Sequence, residues 1–159
     1  MQAQPHSNNN GHEVFVHPFV RPDHWEIADL WAASWDGMPA MDPHARYDWL
    51  FEHIEKRHEA GAATFCALNR RTGGIAGFAM IEPNSGNLLR IIVASSARGN
   101  GVASALLDRC KRACANGIRI AINPANERAV GFFLREGFAA DDAQASDAGE
   151  LHLNWQALN

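Results

Sequence analysis

The sequence is short of three features that each define a class of protein: cysteines, charge of one sign and long hydrophobic runs. Its three cysteines are Cys66, Cys110 and Cys114. An odd number of cysteines in a chain of 159 residues does not make a disulfide framework, and free thiols in a reducing compartment explain them better. We therefore expect a cytoplasmic protein.

The charge balance is mildly acidic. Lys and Arg number 14 and Asp and Glu number 18, which gives a formal net charge of −4. This balance excludes broad electrostatic binding to nucleic acid or to an anionic membrane, although it allows a local basic pocket. No apolar run approaches the roughly 18 residues of a membrane span. Residues 1–13 lack the basic and apolar segments of a signal peptide. We expect neither a membrane nor a nucleic acid as partner.

Metal-ligand patterns are missing from the sequence as well. The 8 histidines are scattered, and no set of Cys and His residues has the spacing of a zinc site. Cys110 and Cys114 share a helix face at i, i+4, but beside Leu106 and Leu107 they are typical of small core residues. We predict no metal site.

Length and composition favour one globular domain. Residues 1–12 are polar and predict a flexible tail, whereas residues 13–159 predict a single domain. Asp42 and Pro43 mark a helix start as N-cap and first helical residue. The periodicity predicts strands at 14–17, 64–68, 75–81, 87–94, 118–123, 138–141 and 150–156, and helices at 22–35, 43–60, 101–116 and 126–136. This order predicts an α/β fold of the α+β kind, a mixed sheet with helices packed on it.

The most informative segment joins a strand to a helix through a loop with two glycines. Gly99 and Gly101 allow a tight turn and the close approach of a ligand. The free N–H groups of the helix that follows, together with its dipole, make an anion site. The segment is not a dinucleotide fingerprint, because Ser104 stands at the third glycine position, and it lacks the Gly-Lys-Ser/Thr of a P-loop. On glycine spacing alone, a phosphate site and a plain turn are equal alternatives.

Two blocks of the sequence together resemble the GNAT superfamily of N-acetyltransferases. Residues 98–103 (RGNGVA) match its R/Q-x-x-G-x-G/A signature, and residues 126–138 (NERAVGFFLREGF) are similar to its N-x-x-A-x-x-F-Y-x-x-x-G-F block. The resemblance covers residues 14 to 156 and has the blocks in the family's order. It implies a GNAT-like mixed, mostly antiparallel sheet of six to seven strands flanked by about four helices.

The resemblance implies an acetyl-CoA-dependent N-acetyltransferase. Such an enzyme passes an acetyl group directly from the thioester to the amine of a small molecule or of a peptide N-terminus. The backbone near Val93 would polarise the thioester carbonyl, where the fourth strand splays from the fifth. The residues implied in binding acetyl-CoA are Ile91, Ile92, Val93, Arg98, Gly99, Asn100, Gly101, Val102, Ala103, Ser104, Asn126 and Phe133.

Phe133 is the main departure from the family pattern, because the family usually has a tyrosine there that protonates the departing thiolate. The thiolate could leave without help, since thiols are fairly acidic. Alternatively Ser96, a water or a thiol could give the proton, or the domain could bind acetyl-CoA and catalyse poorly. The general base is also open. Glu82 is the candidate, although a solvated carboxylate in the turn before Pro83 is the favoured interpretation of that residue.

The acceptor pocket of a GNAT fold is shaped by the region between the first two helices. This region is rich in aromatic residues: Trp31, Trp35, Tyr47, Trp49 and Phe51. Trp35 with Met38 and Met41 is a candidate lining, and Asp36 and Asp42 could attract a cationic amine, although Asp42 is better explained as a helix cap.

Other functions and the oligomeric state stay open at this point. The alternative to the enzyme is a non-catalytic or weakly catalytic module that binds or senses acyl-CoA. A toxin-like enzyme acting on aminoacyl-tRNA is disfavoured by the negative charge and by Phe133. A homodimer could form through the last strand, residues 151–155.

Overall fold

The computed structural model describes residues 14–20, 24–34, 42–141 and 149–158. These residues form seven strands and four α-helices. The strands are β1 (Val14–Pro18), β2 (Ala63–Asn69), β3 (Ile75–Glu82), β4 (Asn87–Val93), β5 (Ile118–Ile122), β6 (Ala139–Ala140) and β7 (Leu151–Trp155). The helices are α1 (His24–Ser34), α2 (Pro43–Glu59), α3 (Val102–Ala113) and α4 (Glu127–Arg135), with a short 3₁₀ turn at Ser95–Ala97. The predicted tail lies outside the described residues.

The strands form one sheet in the order β1-β2-β3-β4-β5-β7-β6. All neighbouring pairs are antiparallel except β4 with β5, which are parallel. The predicted mixed, mostly antiparallel sheet is therefore confirmed. The third helix is shorter than the predicted 101–116, because the backbone leaves the helical region at Cys114 (φ −122°, ψ 77°).

Strands β4 and β5 separate almost as soon as they meet. Among the described residues they pair at one position only, Asn87 with Arg119. A bulge also interrupts β4, because Leu88 pairs with Ile81 whereas Arg90 pairs with the preceding residue of β3. Bulges bend a strand and increase its twist. The edge of β4 beyond its first residue is therefore open toward β5.

Two hydrophobic clusters cover the two faces of the sheet. Residues from α3 and α4, such as Leu106 and Phe133, pack with one face. Residues from α1 and α2, such as Trp31 and Leu50, pack with the other. The three cysteines are free and buried, as predicted, and burial raises the pKa of Cys110 to about 12, so its thiol stays protonated. No helix within the described ranges is long and apolar enough to cross a membrane.

Candidate acyl-CoA site

The loop before α3 leaves the first turn of that helix open. Gly99 and Gly101 have left-handed backbones, with φ of 81° and 76°, which side chains other than glycine rarely adopt. Gly101 is the N-cap, and no described side chain caps the helix. A Cβ placed on Gly99 or Gly101 would meet no atom within 4 Å. The N–H groups of the first turn of α3 therefore lack a described side-chain partner, and the glycines beside this positive helix end leave space for a ligand.

This loop borders a cavity of about 780 Å³ that follows the separation between β4 and β5. Eleven of the predicted site residues line it: Ile91, Ile92, Val93, Arg98, Gly99, Gly101, Val102, Ala103, Ser104, Asn126 and Phe133. Asn100 and Glu82 are not among its lining residues. Residues packed on both faces of the sheet line the cavity, so it connects the α3 and α4 side with the α1 side.

All charged residues that the structure describes in the cavity lining are cationic. Its charged residues are Arg90, Arg98, Arg128 and Arg135, and no described Asp or Glu lines it. Arg135 lies over the helix surface next to Gly131, where a Cβ would come within 3.1 Å of its Nη1 atom. A cavity with this lining suits an anionic ligand.

Asn126 serves α4 as its N-cap and also lines the cavity. Its Oδ1 atom accepts a hydrogen bond of 3.2 Å from the backbone N–H of Ala129. The predicted capping role is therefore confirmed. The side chain is exposed at the cavity, so a ligand can reach the rest of the amide.

Phe133 lies at the cavity wall within an aromatic cluster. It is 2% exposed, and its ring centroid is 5.0 Å from that of Phe132 and 5.1 Å from that of Phe138. The other side chains considered as proton donors, Ser96 and a cysteine thiol, do not line the cavity. Ser96 is exposed on the 3₁₀ turn, and the three cysteines are buried elsewhere in the core.

Glu82 lies in the turn between β3 and β4. Its carboxylate accepts hydrogen bonds from Ser85 Oγ at 2.8 Å and from Asn87 Nδ2 at 3.2 Å. Val93 is at the other end of β4, about 20 Å from Asn87 at the usual rise of a strand. These contacts agree with the favoured interpretation as a turn carboxylate, and the role of Glu82 as a base stays a prediction.

The side chain of Ser104 has a partner that the sequence did not indicate. Its hydroxyl donates a hydrogen bond of 2.6 Å to Oε1 of Glu136, the C-cap of α4. Lys111 Nζ donates to the backbone carbonyl of Glu136 at 2.8 Å. These contacts fix the start of α3 against the end of α4, so the hydroxyl hydrogen of Ser104 is already used and its backbone N–H is the donor left for an anionic ligand.

Helix α1 contributes one aromatic residue to the cavity lining. Trp31 and Ser34 line it, whereas Tyr47, Trp49 and Phe51 do not. The ring of His53 packs on Trp31 and Trp49. Burial and, to a smaller extent, the charges of Arg57, Arg90 and Lys56 lower the pKa of His53, which keeps it neutral. The other predicted acceptor-site residues, Trp35, Asp36, Met38 and Met41, lie outside the described residues.

The sequence interpretation missed some of the lining. It did not include the wall formed by Ile120–Ile122 of β5, nor the cations Arg128 and Arg135 of α4. The two arginines are seven residues apart, which places them on one helix face, and that spacing was the available signal. No group of three or more described His, Cys, Asp or Glu residues could hold a metal ion.

Comparison with known proteins assigns the chain to a family. The sequence model of the acetyltransferase (GNAT) domain matches residues 45–158. The chain therefore belongs to the GNAT acetyltransferase family. No curated protein matches the sequence.

Solved structures share the fold at low sequence identity. One is described as a histone acetyltransferase HPA2 and related acetyltransferase from Corynebacterium glutamicum, with 22% identity and a TM-score of 0.70 over 92% of this chain and 97% of that one. Another is a mutant of the spermidine N-acetyltransferase SpeG from Vibrio cholerae, with 19% identity and a TM-score of 0.68 over 89% of this chain and 92% of that one. A GNAT-family acetyltransferase from Staphylococcus aureus has 17% identity and a TM-score of 0.66 over 89% and 98%.

Proposed function

We propose that the protein is an acetyl-CoA-dependent N-acetyltransferase that transfers the acetyl group directly to an amine. The observation that carries the proposal is one cavity that joins the uncapped N-terminus of α3 to the open edge of β4. Family membership supports acetyl-CoA as the donor. The acceptor would be a small-molecule amine or a peptide N-terminus. A cytoplasmic location and a homodimer stay predictions.

The loop before α3 would hold the pyrophosphate of the donor. N–H groups of Gly99, Gly101 and the first turn of α3 would donate to phosphate oxygens, and the helix dipole would favour the negative charge. Arg98 would add a cation at the start of this loop, and Asn126 a polar contact across the cavity. Because charged hydrogen bonds are about twice as strong as neutral ones, this loop would supply much of the donor affinity.

The open edge of β4 would hold the pantetheine arm and the thioester. Ile91 and Ile92 would supply apolar contact, and the backbone of Val93 would donate to the carbonyl oxygen as it gains negative charge. Such a donor is worth about 3–4 kcal/mol in acyl-transfer enzymes. Holding amine and thioester together in one cavity would supply most of the remaining acceleration.

Bound acetyl-CoA supplies an activated acyl group, and transfer forms a C–N bond, breaks the C–S bond and releases a proton from the amine. Phe133 has no proton to give, so it would shape the wall beside the thioester. We infer that the thiolate leaves without a side-chain acid, because no described Tyr or Cys lines the cavity. The proton of the amine would pass to solvent, and Glu82 could accept it only through a chain of waters, since it lies outside the lining and at the far end of β4 from Val93.

Calorimetric titration with acetyl-CoA tests this proposal. We expect a dissociation constant in the micromolar range, as is usual for enzyme substrates. Gly101→Asp, which puts a negative side chain into the loop, should weaken binding by about tenfold or more. Gly61→Asp is the matched control, because Gly61 also has a positive φ (100°) and no neighbour within 4 Å, but lies after α2.

Both variants should lose stability from the strained backbone, but only Gly101→Asp should lose affinity. Equal affinity in both variants would contradict the proposed phosphate loop. Absence of binding by the native protein would contradict acetyl-CoA as the donor.

The alternative is a module that binds or senses acyl-CoA without useful turnover. The residue that favours it is Phe133, which stands where the family usually has its acid. Both functions predict the same calorimetry, and measuring acetylated product separates them.

A further inference from the structure

Arg90 is the only charged residue of β4, and it lies at the α1 side of the cavity. Its guanidinium carbon is 5.3 Å from the ring centroid of Trp31, whose indole is itself part of the lining. We propose that Arg90 binds a carboxylate of the acceptor, so that the enzyme acetylates amino acids or related amino-carboxylic acids. This inference rests on the proposed function and names its substrate class.

The distribution of charge along the cavity separates Arg90 from the other three arginines. Arg98 belongs to the loop before α3, and Arg128 and Arg135 belong to α4, on the side proposed for the phosphates of the donor. Arg90 instead contacts a residue of α1, on the opposite face of the sheet. A separate cation at that end suits a second anionic group, one that belongs to the acceptor.

Arg90 is exposed, and no residue in the described part of the chain neutralises its charge. No described residue forms a salt bridge with it, and no described carboxylate lines the cavity. His53 also packs on Trp31, and burial and neighbouring cations lower its pKa, which favours its neutral form. A cation–π contact with an indole does not use the N–H donors of a guanidinium, and these donors match a carboxylate with two parallel hydrogen bonds.

The same charges disfavour a polyamine acceptor. A polyamine carries several positive charges, and every charged residue described in the cavity is an arginine. Like charges repel, so such a substrate would bind weakly. A carboxylate on the acceptor would offset the charge of Arg90, and the neutral form of its amine would then reach the thioester.

Matched pairs of amines test this proposal. L-amino acids and their α-carboxamides differ at the group that Arg90 would bind, and spermidine serves as the polycation. The readouts are kcat and KM from acetyl-CoA-dependent thiol release, and acceptor binding by saturation-transfer NMR, which requires no acetyl-CoA. Each is measured for native protein, Arg90→Gln, Arg90→Lys and Arg112→Gln, an exposed control on α3 outside the cavity.

We expect native protein to prefer the amino acids over their amides by about tenfold or more in kcat/KM. Arg90→Gln should remove this preference mainly through KM, Arg90→Lys should keep part of it, and Arg112→Gln should not change it. Acetyl-CoA affinity, measured by calorimetry, should be the same in all four proteins.

Three results would overturn the proposal: equal use of acids and amides, a preference for spermidine, or acetyl-CoA binding with no amino acid acetylated or bound. Absence of acetyl-CoA binding by the native protein would instead contradict the proposed function. The NMR comparison of acids with amides would still decide the role of Arg90 in that case.

Discussion

The main departure of the second signature block from the family pattern is Phe133, which stands where the family usually has a tyrosine. Its ring packs on Phe132 and Phe138 while lining the cavity, so it contributes to the core as well as to the site. A phenol at this position could donate a proton, whereas a phenyl ring cannot. Adding a hydroxyl at this position therefore tests whether the reaction needs a proton donor there.

We predict that Phe133→Tyr changes kcat by less than about tenfold, because the departing thiol is already acidic. General acid catalysis is worth about 10²–10⁴-fold where a reaction needs it. Steady-state kinetics at saturating acetyl-CoA check this, with Phe132→Tyr as the control that adds a hydroxyl one residue away. A gain of about a hundredfold confined to Phe133→Tyr would show that native catalysis lacks a needed acid.

The N-termini of α4 and α2 differ in their position relative to the cavity. Asn126 begins α4 at the cavity, whereas Asp42 begins α2 away from it and accepts from the N–H groups of His44 at 3.1 Å and Ala45 at 3.4 Å. Both side chains cap their helices by accepting hydrogen bonds from backbone N–H groups. Only Asn126 lines the cavity, where a ligand can reach it.

Asn126→Ala and Asp42→Ala should each lower the free energy of unfolding by about 0.5–2 kcal/mol, the usual value of an N-cap. Only Asn126→Ala should also weaken acetyl-CoA binding, because only that amide lines the cavity. Urea unfolding and calorimetry measure the two effects separately. If both variants bind acetyl-CoA like native protein, Asn126 acts only as a helix cap and the predicted contact with acetyl-CoA is wrong.

Local signals explain which elements were predictable. Asp42 and Pro43 marked the start of α2, and Gly99 and Gly101 marked the loop before α3, because capping and positive φ depend on residues next to each other in the chain. The end of α3 was predicted too late. Nothing in residues 114–116 excludes a helix as firmly as a proline would.

Contacts between distant segments were not predictable in the same way. Ser104 and Glu136 are 32 positions apart, and their hydrogen bond depends on how α3 and α4 pack. Arg90 meets Trp31 only because β4 lies against α1. The sequence indicated the loop of Gly99 and Gly101 as a candidate site, but it did not reveal that four arginines line one cavity.

At the scale of the whole molecule, a protein of net charge −4 has a cavity in which every described charged lining residue is an arginine. The fold concentrates these arginines where two strands separate, and the described acidic residues lie outside the lining. This contrast favours an anionic donor drawn to a local site over any broad interaction with polyanions. The separation of β4 from β5 is thus the feature on which the functional account depends.

The central claim is that this cavity transfers an acetyl group, and product analysis tests it most directly. Purified protein is incubated with acetyl-CoA and a mixture of amino acids, polyamines and short peptides, and acetylated amine and free thiol are measured together by mass spectrometry and a thiol reagent. We predict equal amounts of both products, no acetylated protein intermediate and a lower rate for Gly101→Asp. Acetyl-CoA that binds but stays intact with every amine would contradict catalysis and leave an acyl-CoA-binding module.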